Sequence, residues 1–198
     1  MPVLQLELPD LSATETLGAL LADGLAAGDV ISLSGPLGAG KSALARAIIQ
    51  AANPAETDVP SPTFTLVQTY ELGDGTPLWH LDLYRIESPE DAMQLGLDDA
   101  FIDAVCLIEW PDRLKKLLPK TNLSIHLYMA DADDGGESSS SIRYADITAP
   151  PHWAARMAAI IAKRARFCAS SPGLANINSR PDYPLLVNGS RLSMLLLL

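Results

Sequence analysis

An α/β fold built on a mostly parallel central sheet is predicted by three features of this sequence. Gly35-Pro36-Leu37-Gly38-Ala39-Gly40-Lys41-Ser42 follows the apolar run Val30-Ile31-Ser32-Leu33-Ser34 and precedes the helix-forming stretch Ala43 to Gln50. That is the strand, glycine loop and helix order in which backbone amides curl around phosphate groups. Ala104-Val105-Cys106-Leu107-Ile108 is a second short apolar run. It is read as a buried strand delivering Glu109 to the sheet edge where ligands of open α/β folds gather. Thr63 to Tyr70 and Pro77 to Asp82 flank the turn signal Gly73-Asp74-Gly75 and predict an antiparallel hairpin.

The remaining elements follow in order. Met1 to Asp10 alternates apolar and acidic residues as a first strand, without the basic start and apolar stretch of a signal peptide. Ser12-Ala13-Thr14-Glu15 has capping-box spacing, and Leu17, Leu20, Leu21 and Leu25 recur at helical intervals, predicting a helix of about four turns. Asn53 to Pro62 is a proline-rich connection. Ser88-Pro89-Glu90-Asp91 opens a short helix, with proline in its first turn and acids at its positive end. A helix is expected from Pro111 through Leu118, then two strands, Leu123 to Met129 and Ser141 to Thr148, around an acidic loop, and a last helix from Pro151 to Phe167. Residues 1–167 are thus expected to form one domain. In 168–198 the composition shifts to Ser, Pro, Gly and Asn with a Leu-rich end, a flexible or loosely docked tail; the other reading is a segment whose leucines cover a groove or meet a partner.

Composition narrows the function classes. The 198 residues carry a net charge of −10, with an isoelectric point near 4.6. Free-standing nucleic-acid binding, which depends on clustered Lys and Arg, is disfavoured, so any RNA is expected to be held through a partner. Two cysteines, Cys106 and Cys168, form neither a disulfide framework nor a metal cluster, which points to the cytoplasm. Met194 to Leu198 is apolar but far short of the roughly 20 residues that cross a bilayer.

The chemistry converges on a nucleoside triphosphate. The loop glycines let N–H groups face the phosphates, Lys41 is placed for the β and γ oxygens, and the Ser42 hydroxyl for Mg²⁺. The helix that follows sets its positive end beneath them. Turnover also needs a held metal and a positioned nucleophile. Glu109 and Asp82 both end apolar strand runs and qualify as the carboxylates. A small-molecule or nucleotide kinase would share the loop and metal but add an arginine-bearing lid, and no segment here has that character. A GTPase would need Asn-Lys-x-Asp, which the sequence lacks. An assembly factor in which ATP merely selects a docking state is a third reading.

Four ordered motifs, Gly35 to Ser42, Ser61-Pro62-Thr63-Phe64, His80-Leu81-Asp82-Leu83-Tyr84-Arg85 and Ile108-Glu109-Trp110-Pro111, resemble the TsaE family, formerly YjeE, from about residue 4 to about residue 165. The family is the bacterial ATPase needed to make N6-threonylcarbamoyladenosine at position 37 of tRNAs reading codons that start with A. The resemblance implies a P-loop NTPase-like three-layer sandwich that binds ATP and Mg²⁺ and docks onto the complex of the TsaD and TsaB proteins, touching tRNA only through them. By position, Ser42 and Glu109 match the family's metal ligands, Lys41 its phosphate lysine and Asp82 an acid that orients water or metal; Trp110 and Thr14 match positions near the nucleotide. Thr63 resembles a γ-phosphate sensor, or simply begins a strand. Arg85 neutralises charge, pairs with a partner's acid, or is a solvated surface arginine; His80 and Tyr84, of the same motif, are expected with Thr63 and Arg85 among the switch or partner-facing residues, and His80 is either structural or catalytic. Ser42 stands where the family mostly has Thr, and Pro36 where Asp is common. Neither departure removes a glycine, the lysine or the hydroxyl. The acidic loop 131–137 carries over no family contact.

Overall fold

A strand buried on both faces needs cover on both, and two such strands form the centre of the sheet. They are β2 (Val30–Ser34) and β5 (Val105–Glu109), the latter buried at every position. The computed structural model describes residues 3–129, 142–170, 184–187 and 190–193. β5 and β6 (Leu123–Met129) flank β2 in parallel, and β4 (Pro77–Asp82) lies parallel outside β5. β3 (Val67–Glu71) pairs antiparallel with β4 as the expected hairpin. On the other side β7 (Arg143–Thr148) and β1 (Val3–Leu8) continue antiparallel from β6. The seven-strand order is β3-β4-β5-β2-β6-β7-β1, with β8 (Pro184–Val187) and β9 (Ser190–Ser193) paired beyond β1.

The expectation of a mostly parallel sheet therefore holds for the core alone. Three strand pairings are parallel and five antiparallel, so the sheet as a whole is mixed. The two-residue side-chain period of a strand assigns the faces. Ile31, Leu33, Val105, Leu107 and Leu78 pack in one cluster with α1 (Leu11–Ala22), α2 (Lys41–Ala52) and the described start of α5 (Pro151–Ser170). Val30, Cys106, Ile108 and Leu81 pack in a second with α3 (Pro89–Met93) and α4 (Leu97–Asp103). Helices thus cover both faces. Gly18 of α1 lets that helix close on α2, since a Cβ there would lie 2.5 Å from Cβ of Ala47. Arg156 of α5 bonds the carboxylate of Asp29 at the start of β2. No helix among the described residues is long and apolar enough to cross a membrane.

Several local expectations are corrected. The cap of α1 is Asp10, whose Oδ1 accepts the N–H of Ala13 at 2.8 Å, so the helix starts before the Ser12 box. β3 starts at Val67, because residues 62–66 turn and Leu66 takes φ +66°. Pro111 to Leu118 forms two 3₁₀ turns, Pro111–Arg113 and Lys115–Leu117, where φ of +52° at Lys115 breaks the α-helical path. α4 was not expected; left-handed Gly96 at its start separates it from α3.

Candidate functional site

The glycine loop leaves β2 at its carboxyl end and turns into α2. Gly35 has φ +131°, and a Cβ on it would lie 1.9 Å from the carbonyl oxygen of Leu127 in β6, so only glycine lets the chain pass. Gly40, left-handed at φ +104°, is the N-cap of α2 and offers no side-chain acceptor to the first turn. The first-turn N–H groups, lacking intrahelical partners, are thus available to an anion held by the loop.

Lys41 lies over that loop. Its Nζ donates to the carbonyls of Gly35 (2.9 Å) and Pro36 (2.8 Å) and sits 4.1 Å from the centre of the Trp110 ring. Burial holds its pKa below that of a free lysine, opposed by the negative charges of Glu109, Asp82 and Asp112. Trp110 takes φ +60°, a conformation uncommon for a residue with a side chain. Its ring is 5.0 Å from that of Tyr84.

Two carboxylates meet beside the lysine. Asp82 and Glu109 end neighbouring parallel strands at paired positions, and the strand period turns both toward the α2 face. The Ser42 hydroxyl donates to Glu109 Oε2 at 2.9 Å, and Nε2 of His80 bonds Glu109 Oε1 at 2.9 Å. Asp82 Oδ2 accepts from the Thr63 hydroxyl at 2.8 Å, which also bonds Ser61 Oγ at 2.9 Å. Asp82 Oδ1 accepts the N–H of Tyr84 at 3.0 Å. His80, Asp82 and Glu109 are each less than 5% exposed. Buried carboxylates without partners would be costly, and here hydroxyls, an imidazole and an amide supply them.

Among the described residues no group of three or more His, Cys, Asp or Glu side chains forms a metal cage. A hydroxyl and one or two carboxylates beside a phosphate loop suit Mg²⁺, a hard cation that keeps waters and takes its other ligands from phosphates. Ser42, Glu109 and, through the adjoining strand, Asp82 are the oxygen donors that fit it.

The structure therefore joins Lys41, Ser42, Glu109, His80, Asp82, Thr63, Tyr84 and Trp110 in one network. Thr14 stays apart: it is buried on α1 and its hydroxyl donates to the Asp10 carbonyl at 3.4 Å. Arg85 is exposed at the rim, its guanidinium 4.9 Å from the centre of the Phe64 ring. Phe64 and Leu37, on the 61–66 and 35–42 loops, are each 81% exposed. Loop 131–137 lies outside the described residues.

One neighbour of the loop was missed in the sequence. Arg143, at the start of β7, passes its Cδ 3.4 Å from the position of a Cβ on Gly40, and its Nε is buried with no hydrogen-bond partner among the described residues. A cation with an unsatisfied donor beside a phosphate loop is an added candidate for an anion. Its only sequence signal is an arginine following an acidic loop; the β2-β6-β7 order is what brings it to Gly40.

Comparison with known proteins identifies the family. The family model for threonylcarbamoyl adenosine biosynthesis protein TsaE matches residues 8–137. The chain is similar to the tRNA threonylcarbamoyladenosine biosynthesis protein TsaE of Rickettsia felis, 40% identical over 118 residues, covering 60% of this chain and 68% of that one. It is also similar to the protein of that name from Mycobacterium bovis, 38% identical over 135 residues, 64% of this chain and 80% of the relative. The crystal structure of Bacillus subtilis YdiB superposes with a TM-score of 0.60 at 25% identity, covering 80% of this chain and 95% of that one. This chain belongs to the TsaE family of threonylcarbamoyladenosine biosynthesis proteins.

Proposed function

We propose that this chain is the ATP-binding and ATP-hydrolysing component of N6-threonylcarbamoyladenosine synthesis at position 37 of tRNA, acting in the cytoplasm on the complex of the TsaD and TsaB proteins. The observation that carries the reading is the bond from Ser42 in the phosphate loop to Glu109 at the end of β5. It places a hydroxyl and a carboxylate side by side where a phosphate-bound cation is needed.

In this reading residues 35–42 grip the triphosphate through main-chain N–H groups. Lys41, now bonded to the Gly35 and Pro36 carbonyls, exchanges them for phosphate oxygens. Ser42 and Glu109 would hold Mg²⁺, which would supply the positive charge that offsets charge developing on the phosphates. Asp82 orients the attacking water or the metal. Thr63, hydrogen-bonded to Asp82, is the residue through which the 61–66 loop senses the γ-phosphate. Arg85 and Tyr84 face the partner, and Arg143 and Trp110 flank the nucleotide. A resting bond between Thr63 and Asp82 fits an enzyme that is slow alone and stimulated by its partners. With a net charge of −10 the chain itself is a poor phosphate-backbone binder, so tRNA is reached through TsaD and TsaB.

The test is phosphate release with and without TsaD and TsaB, using the wild type, Lys41→Ala and Glu109→Ala. The reading expects partner-stimulated release from the wild type alone, with Glu109→Ala still binding nucleotide. Phosphate appearing on a small acceptor would establish a kinase instead. Nucleotide-dependent docking without release would establish a gated assembly factor.

A further inference from the structure

We infer that His80 is a positioning residue for metal–nucleotide binding: its Nε2–H anchors Oε1 of Glu109, so that Oε2 stays turned toward Ser42. The inference rests on the reading of Ser42 and Glu109 as the metal-holding pair.

Strand parity puts His80 on the same face as Asp82, one step further from the strand end, with Leu107 of β5 opposite it. His80 is 1% and Glu109 2% exposed, so bulk water cannot take the place of either partner. An ionised carboxylate only accepts hydrogen bonds, so Nε2, at 2.9 Å from Oε1, must carry the hydrogen. Nδ1 is buried and has no partner among the described residues. A proton there would be an unsatisfied donor, whereas a bare lone pair leaves only an acceptor unmet. The geometry thus puts a hydrogen on Nε2, directed at Glu109. This arrangement leaves no free base for catalysis, because Nε2 is committed to Glu109 and Nδ1 is closed to solvent. What remains is orientation: each Glu109 oxygen has its own donor, His80 on one side and Ser42 on the other. Without His80, Oε1 becomes a buried, unpaired acceptor, and the carboxylate can turn to seek another partner. Outer-shell partners of this kind are worth about 10- to 100-fold in metal affinity.

The experiment compares the wild type with His80→Leu, which removes the donor, and His80→Gln, which can return an N–H to the Nε2 position. Free Mn²⁺ is followed by electron paramagnetic resonance as protein and ADP are titrated, and metal-free ADP binding is measured by calorimetry with EDTA. The expected result for His80→Leu is a loss of about tenfold or more in Mn²⁺–ADP affinity, with metal-free ADP binding unchanged and most of the loss restored in His80→Gln. A merely structural role would weaken both ADP forms together. That result, or a His80→Leu protein with wild-type Mn²⁺ affinity, would overturn the inference. Should His80→Leu fail to fold, ¹⁵N shifts of the wild-type imidazole decide: a hydrogen on Nε2 supports it, and a bare Nε2 overturns it. Wild-type protein that takes up no Mn²⁺–ADP would instead bring down the functional reading, and the inference with it.

Discussion

Substituting alanine for Gly35 tests how the phosphate loop is held against the sheet. The added Cβ would lie 1.9 Å from the Leu127 carbonyl oxygen and 3.0 Å from its carbon. Both belong to the backbone of β6 and cannot rotate away. At φ +131° the new side chain also meets the backbone strain that glycine avoids. Strain of about 1–3 kcal/mol and overpacking of similar size combine to about 4 kcal/mol. For a chain of this length that lowers Tm by about 8–16 °C. Gly38→Ala is the matched control: φ is +80°, but nothing lies within 4 Å of its Cβ position, so only strain remains. It should cost about 1 kcal/mol, a fall of about 2–4 °C. Differential scanning calorimetry of both variants, with ATP binding as a second readout, gives the comparison. Equal Tm shifts would refute the claim that the loop presses on β6.

Three further outcomes follow from the same structure. Asp10→Ala removes the carboxylate that accepts the Ala13 N–H and should cost about 1 kcal/mol, read as a Tm fall of about 2–4 °C in thermal melts. Burial pushes the Cys106 thiol up to about 12, so it stays protonated at about pH 8.5; in a Cys168→Ser background, iodoacetamide should label unfolded but not native protein, as mass spectrometry will show. Because burial holds the Lys41 pKa down and bound phosphates would raise it, nucleotide uptake on the alkaline side should draw in a proton. Calorimetry in buffers of different ionisation enthalpy should detect that uptake, and proton release would contradict it.

The centre of the fold was legible because its signals are local. The run Val30 to Ser34 and the run ending at Ile108 are short and largely apolar, the signal of a strand covered on both faces. Loop glycine spacing carries its own conformational meaning, as the positive φ of Gly35, Gly38 and Gly40 illustrates. Pairing of Asp82 with Glu109, and the position of His80 behind them, follow from strand parity once the β4–β5 register is known, but the register itself is not written in either segment. What escaped the sequence depended on competition or distance. Asp10 and Ser12 are both good caps, and tertiary placement chose Asp10. Pro111 to Leu118 has helical composition, yet Trp110 and Lys115 take positive φ and divide it into 3₁₀ turns. Arg143 stands 103 positions after Gly40 in the numbering and reaches it only through two intervening strand pairings.

The most direct test of the account is calorimetric titration of the folded wild type and Lys41→Ala with ATP and Mg²⁺. The account predicts saturable uptake by the wild type and a loss of about 10- to 100-fold in Lys41→Ala, the worth of one or two charge-assisted hydrogen bonds. No uptake by the wild type, or equal affinity in both proteins, would contradict it.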